Sequence, residues 1–339
     1  MKKTILISLF SAALVTHTLP FLGAQEQQEE RQIEEEDSKP LGQAALSVAV
    51  QQIRVDVTVR DNKGNLITGL EEGNFEIYED KVKQEITFFE PIEAPMTAVL
   101  ITEYSKVLPW EMLYEAIMAS YQFVDGMRPG DWVAVVAYDL RSEILVDFTQ
   151  DKALVYNSLR KLNYPAYRES NLYDTVVDTL DRVQELDQRV ALIVLTSGLD
   201  TFSKLNLGET LDRVKRADAV IYAVSLGGNL RARYEHRMGG MQRLDFYQGD
   251  ATLKAFAKYT GGEAFFPRFM SEFPGIFQTI SLLLRNQYSM GYVSSSTKKD
   301  GKYRKIKVEV KVDVDGDGKL DKLKVRHREG YLTEDADGS

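Results

Sequence analysis

The chain has 339 residues, 44% of them apolar and 27% charged, with no cysteine and a formal net charge of -9. Such a length and composition suit a globular protein of about two domains. The acidic balance argues against a nucleic-acid partner, which needs a basic surface. The lack of cysteine excludes disulfides, thiolate metal sites, a cysteine nucleophile and a lipid anchor on cysteine.

Residues 1–24 read as a secretory signal. Lys2 and Lys3 precede an apolar stretch from Thr4 to Leu22, and Leu22-Gly23-Ala24 suits cleavage. The rival is an uncleaved anchor helix, but Ser8, Ser11, Thr16, His17 and Thr18 interrupt the apolar run and favour cleavage. This predicts a mature start near Gln25, export to the periplasm or the exterior, and no membrane span after cleavage. Residues 25–45 carry Glu26, Glu29, Glu30, Glu34, Glu35, Glu36 and Asp37 with little that is apolar, and read as a disordered acidic linker.

Residues 46–94 form an N-terminal β segment. Val55, Val57 and Val59 alternate with Asp56, Thr58 and Arg60, the pattern of a half-buried strand from Leu46 to Arg60. Turn residues Asp61 to Asn65 follow, then a short strand at Phe75–Tyr78, a turn at Glu79–Lys81, and a third strand from Val82 to Phe89.

From residue 95 to 286 the rhythm becomes strand and helix in alternation, which implies a parallel sheet covered on both faces. Met96 to Ile101 and Val190 to Leu195 are short apolar runs that read as buried parallel strands. The first exits into Thr102-Glu103-Tyr104-Ser105, the second into Thr196-Ser197-Gly198-Leu199-Asp200. Ligands of open α/β sheets bind beyond such carboxyl ends. Further strands are expected at 133–138, 142–148 (a hairpin partner), 219–226 and 263–266. Helices are expected at 109–127, 151–162, 171–186, 205–217, 250–259 and 274–285. Asn229 to Gln248, with Arg231, Arg233, His236, Arg237 and Arg243, reads as a mobile basic loop, with an anionic-ligand contact as the rival reading.

Residues 287–332 return to β, with strands at 288–294, 305–312 and 323–328, and 333–339 read as a disordered tail. Each β end is thin for an independent sheet. The fold class expected is therefore α/β: a doubly wound, mainly parallel sheet inserted in, or flanked by, an antiparallel β-sandwich built from both ends.

Several phrases resemble a known family. MRPGDWVAVVAYD (127–139), LYDTVVDTL (172–180) and ALIVLTSGLDT (191–201) are similar to the core of von Willebrand factor A domains. VDVTVRDNKGNLITGLEEGNFEIYED (55–80) and GKYRKIKVEV (301–310) resemble the β segments of the bacterial exported group labelled VWFA-related. Together the resemblance spans about residues 46–332. It implies a site for a divalent cation at the strand exits, built from Asp-x-Ser-x-Ser, a Thr and a further Asp. Hard oxygens there hold a hard cation that accepts a partner's carboxylate. On this chain those positions fall on Glu103, Ser105, Val107, Ser170 and Ser197, with Asp200 three residues further on. Valine cannot ligate, and one carboxylate neutralises a divalent ion poorly. The expectation is a degenerate site with weak or absent magnesium binding, set against polar strand exits that hold no ion.

A second candidate is Asp313, Asp315, Asp317 and Asp321, spaced with Gly318 as in the first half of a calcium loop; position twelve is Lys324, not Glu. The alternative is a solvated Asp/Gly hairpin tip. For a hydrolase, Ala223-Val-Ser225-Leu-Gly227 misses the nucleophile-elbow pattern by one residue, and a triad would need His236 or His327 beside Ser225. The reading is a non-enzymatic, adhesion-type module for a protein or glycan partner of the cell envelope. An envelope scaffold with a vestigial site is the alternative, and a hydrolase the third reading.

Overall fold

The computed structural model describes residues 52–91, 95, 97–162, 167–186, 189–228, 231, 236, 238–296, 298, 300–314 and 316–333. The signal, the acidic linker, residues 46–51, Arg233, Arg237, Asp315 and residues 334–339 lie outside them.

The centre is the doubly wound sheet that the strand–helix alternation implied. Its strands are β5 (Thr97–Glu103), β6 (Trp132–Tyr138), β7 (Ser142–Thr149), β8 (Val190–Thr196), β9 (Val220–Ser225) and β10 (Ala264–Phe265), in the order β10-β9-β8-β5-β6-β7. All neighbours are parallel except the β6–β7 hairpin at one edge. Every residue of β5 and of β8 is buried. Successive side chains serve opposite faces: Ala98 and Leu100 join one core cluster, Val99 and Ile101 the other.

Helices α1 (Trp110–Asp125), α2 (Lys152–Arg160) and α6 (Phe273–Arg285) cover the first face, where Leu113, Phe123, Leu159 and Phe277 are buried. Helices α3 (Leu172–Val183), α4 (Leu207–Arg216) and α5 (Gly240–Thr260) cover the second through Val176, Val214, Leu253 and Phe256. Asp151 caps α2 by accepting from the Ala153 N–H at 2.8 Å. Asn206 and Glu209 form a capping box at the start of α4.

Two antiparallel sheets form the sandwich, and both draw on both ends of the chain. In one, β1 (Gln52–Arg60) lies between β13 (Lys324–Arg326) and β11 (Tyr288–Val293), with β4 (Ile86–Pro91) outside β11. In the other, β12 (Tyr303–Val310) lies between β14 (Gly330–Leu332) and β2 (Phe75–Glu79), with β3 (Val82–Gln84) at the edge. Val55, Val57, Val59, Ile77, Ile306 and Val308 meet in its core. The α/β unit is thus inserted between β4 and β11.

Three expectations need correction. The single strand expected from Val82 to Phe89 is two strands in different sheets. Val82 is exposed and Gln84 buried, so the inward face carries an amide and the chain changes sheet at Glu85. Gln84 is satisfied there, its Nε2 donating to Val82 O and its Oε1 accepting from Ser295 N, each at 3.0 Å. The helix expected to start at Asp250 starts ten residues earlier, at Gly240, so part of the expected loop is helical. Strand β14 was not expected at all, being only three residues long.

Candidate functional site

Glu103 ends β5 beside the end of β8, with Thr102 opposite Leu195 in the ladder. Its carboxylate is wholly buried. Oε1 accepts from Ser105 Oγ at 2.6 Å; Oε2 accepts from Ser197 N at 2.6 Å and Thr196 Oγ1 at 3.0 Å. The Tyr138 hydroxyl, from β6, donates to Thr196 Oγ1 at 2.7 Å and extends the network to a third strand. Burial pushes the Glu103 carboxyl above the ordinary value of 4.5, and the Ser105, Ser197 and Thr196 donors pull it back down. Tyr138 is pushed well above 10.0, first by burial and then by the nearby Glu103.

Ser170 and Asp200 stand at the same edge but belong to a neighbouring set of bonds. Ser170 Oγ donates to Leu199 O at 2.8 Å, and its backbone oxygen accepts from the Thr201 and Phe202 N–H groups at 2.8 and 3.1 Å. Asp200 accepts from Tyr173 N at 3.0 Å and from the Ser203 hydroxyl, so its carboxylate serves the start of α3. Burial raises its pKa above 3.8. The structure therefore brings Glu103, Ser105 and Ser197 into direct contact, turns Asp200 to the start of α3, and turns Ser170 to the loop that leads to α4.

That arrangement does not fit a divalent cation. Both Glu103 oxygens already accept from protein donors, the second carboxylate faces α3, and Val107 supplies only a backbone N–H, to Ser105 Oγ at 3.3 Å. Among the described residues no group of three or more His, Cys, Asp or Glu side chains is arranged to hold a metal ion.

Next to this network stands the feature the sequence reading missed. Helix α5 has 21 residues, about 31 Å. Its C-terminal half packs on the sheet, and Thr260 Oγ1 accepts from Ile221 N at the start of β9. At the end of β9, Ser225 Oγ donates to Asp250 Oδ1 at 2.9 Å. Residues 240–249 therefore continue past the end of β9 at the carboxyl edge of the sheet, where Phe246 is buried in the core of the first face. The helix is pinned at that level by a close backbone crossing: a Cβ on Gly249 would lie 2.8 Å from the Gly198 carbonyl carbon. Arg231 pairs with Asp250 and lies 4.9 Å from the Tyr247 ring centroid. On the projecting half Met241 is 81% exposed, and Leu244 and Tyr247 55% each, at helical spacing of three. Phe202, in the adjoining β8–α4 loop, is 56% exposed. The hint in the sequence was Met241, Leu244 and Tyr247 at that spacing, hidden by four glycines at 227, 228, 239 and 240.

The Asp-rich loop is held by its own backbone. Asp313 Oδ1 accepts from Gly316 N at 2.7 Å and Asp317 N at 3.2 Å, its Oδ2 accepts from Gly318 N at 2.8 Å, and Asp321 Oδ2 accepts from Val314 N at 2.7 Å. Asp317 Oδ1 accepts from Lys319 N at 2.8 Å. Ser225 is bonded to Asp250 rather than to an imidazole. His327 is committed elsewhere: its Nδ1 bonds Arg328 O at 2.6 Å and its Nε2 accepts from Val308 N at 3.2 Å.

No family model matches the chain, and no curated protein does. Among solved structures it is similar to a von Willebrand factor type A protein from Catenulispora acidiphila, 11% identical over 86% of this chain and 76% of that one, with a TM-score of 0.43. It is also similar to the vWF domain of the type V pilus tip protein Mfa5 from Porphyromonas gingivalis, 14% identical over 56% and 96%, TM-score 0.42. A third is an aerotolerance-related membrane protein from Bacteroides fragilis, 12% identical over 56% and 98%, TM-score 0.41. No helix of the described residues is long and apolar enough to cross a membrane.

Proposed function

We propose that the chain is an exported binding module whose α/β unit engages a protein partner at the carboxyl edge of its parallel sheet, through direct contacts rather than through a bound cation. The observation that carries this is the projecting half of α5, which holds Met241, Leu244 and Tyr247 out in solvent beside Phe202. Exposed large apolar side chains gathered at one edge mark interaction surfaces, and Met and aromatic residues are enriched where proteins meet. Met241 and Leu244 offer nothing to sugar hydroxyls, which favours a protein over a glycan. The buried Glu103 network sets the shape of that edge without itself reaching solvent. Export rests on Lys2, Lys3 and the apolar run that follows.

The test is site-specific photo-crosslinking in intact cells, with the crosslinker at position 244 or, as a control, at Lys161 on the end of α2. A discrete protein adduct from position 244 alone, unchanged by a chelator, is expected. Equal adducts from both positions, or loss on chelation, would refute the reading. Mass spectrometry of the cellular protein checks export, the expected N-terminus lying at or near Gln25.

A further inference from the structure

At the opposite end of the molecule lies a cleft of about 1020 Å³. It opens between the outward face of β12 and the β1–β13 pair, and the C-terminal end of α5 closes one side. The volume is at the upper end of the range of small-molecule sites, roughly 300–1,000 Å³. Its charge runs against that of the chain. The whole sequence carries -9, yet the cleft is lined by seven Lys and Arg against three Asp and Glu.

The three carboxylates neutralise it only in part. Glu309 pairs with Lys307 at 2.6 Å, Glu329 with Lys258 at 3.1 Å, and Asp80 with Arg304 at 3.6 Å. Arg60 and Arg326 share one acid, Glu263, at 2.8 and 3.8 Å. Lys81, Lys305 and Lys324 make no ion pair among the described residues; Lys324 reaches only the Asn62 carbonyl oxygen at 3.5 Å. Unpaired like charges held together in a concave site raise the local concentration of counter-ions.

The kind of cation narrows the kind of anion. Carboxylates are best matched by the planar fork of arginine, and both arginines here are turned to Glu263. The uncommitted cations are lysines, point charges that take a phosphate oxygen from any direction. They are also spread out. Lys305 stands on β12, Lys324 on β13 and Lys81 in the β2–β3 turn. Cations on three separate elements suit a ligand with more than one phosphate group better than a single orthophosphate.

We propose that this cleft binds a soluble ligand carrying several phosphate groups along its length, held by Lys81, Lys305 and Lys324. This site is separate from the α5 edge and stands or falls without it. Isothermal titration of the full chain with sodium tripolyphosphate at low salt should give one saturable site, with affinity falling as salt rises. Orthophosphate should bind at least about tenfold more weakly, since it can engage only part of the set. Lys305→Gln with Lys324→Gln should weaken tripolyphosphate binding by roughly tenfold, with an unchanged melting temperature because both side chains are exposed. Lys161→Gln, remote from the cleft, should leave binding as it was. The proposal is overturned by absence of tripolyphosphate binding, by equal affinity in the double variant, or by poly-L-glutamate binding as tightly as tripolyphosphate, which would mean unspecific charge attraction.

Discussion

Glu103 is the residue on which the candidate edge turns, and its chemistry gives a signed prediction. Burial places its folded pKa above the ordinary value of 4.5. A carboxyl raised in this way stabilises the fold at pH below its unfolded value, and that contribution is lost as pH rises through the folded value. Glu103→Gln keeps the shape, lets the amide oxygen accept from Ser197 N and Thr196 Oγ1, and lets the amide nitrogen donate to Ser105 Oγ. The melting temperature of that variant should match the parent near pH 4 and exceed it near pH 8, read by thermal denaturation across pH. Glu103→Ala instead strands three donors and opens a cavity, at a cost of about 2–4 kcal/mol at any pH. Gly249 gives a prediction of the opposite sense to helix propensity. Alanine in a helix interior normally gains about 1 kcal/mol over glycine, but here its Cβ would sit 2.8 Å from Gly198 backbone atoms. Gly249→Ala should therefore destabilise by about 1–3 kcal/mol in urea unfolding. Glu103, Ser105 and Ser197 were legible as strand-exit residues because a short apolar run with a polar exit has few other meanings. The Gly198–Gly249 crossing was not, because it joins residues far apart in sequence and glycine has no side chain to betray a contact.

Among the elements, β5, β8 and the hairpin of β6 and β7 were readable because buried parallel strands are continuous apolar runs and a half-exposed edge alternates. Helix α5 was misread in its first half, because glycines at 239 and 240 resemble a loop and Arg243 and Asp245 dilute the apolar stripe. Its local stability follows from its contacts. Residues 250–260 are packed on the sheet, whereas residues 241–248 bury only Phe246 among the side chains described. Hydrogen exchange should show amides 241–248 opening far more readily than 251–260. Leu244→Asp should leave the unfolding free energy within about 0.5 kcal/mol of the parent while abolishing the crosslink expected at this edge. The Asp-rich loop allows a similar separation of roles. Asp313 accepts from three backbone N–H groups, so Asp313→Ala should lower the melting temperature in a chelating buffer as well as in calcium. Millimolar calcium that stabilises the parent but not Asp321→Ala would add an ion to this turn.

At the level of the whole molecule, the sandwich and the α/β unit are joined by ion pairs and hydrogen bonds between them. Arg189, just before β8, pairs with Asp56 of β1 at 2.8 Å and donates to Leu284 O at 3.0 Å. Arg328 is 6% exposed and reaches Asp218 and Lys215 O, each at 3.0 Å. Gly261, with φ +82, brings the end of α5 so close to this segment that a Cβ there would lie 2.6 Å from Arg328 N. The alternation in β1 and β12 disclosed that both chain ends were β, but no local pattern could disclose these cross-domain pairs. Their consequence can be measured. Asp56→Asn leaves the Arg189 charge largely buried without its acid, which should cost roughly 2–4 kcal/mol. Excising residues 95–286 does the same to Arg189, removes both arginine partners of Glu263, and also parts α6 from β11, whose Tyr288, Met290 and Tyr292 fill the sandwich core. The excised unit should be markedly less stable and less soluble than residues 46–332, and the longer piece should unfold in one cooperative transition by calorimetry. An excised unit as stable as the whole would mean that the sandwich only carries the α/β unit and does not complete it.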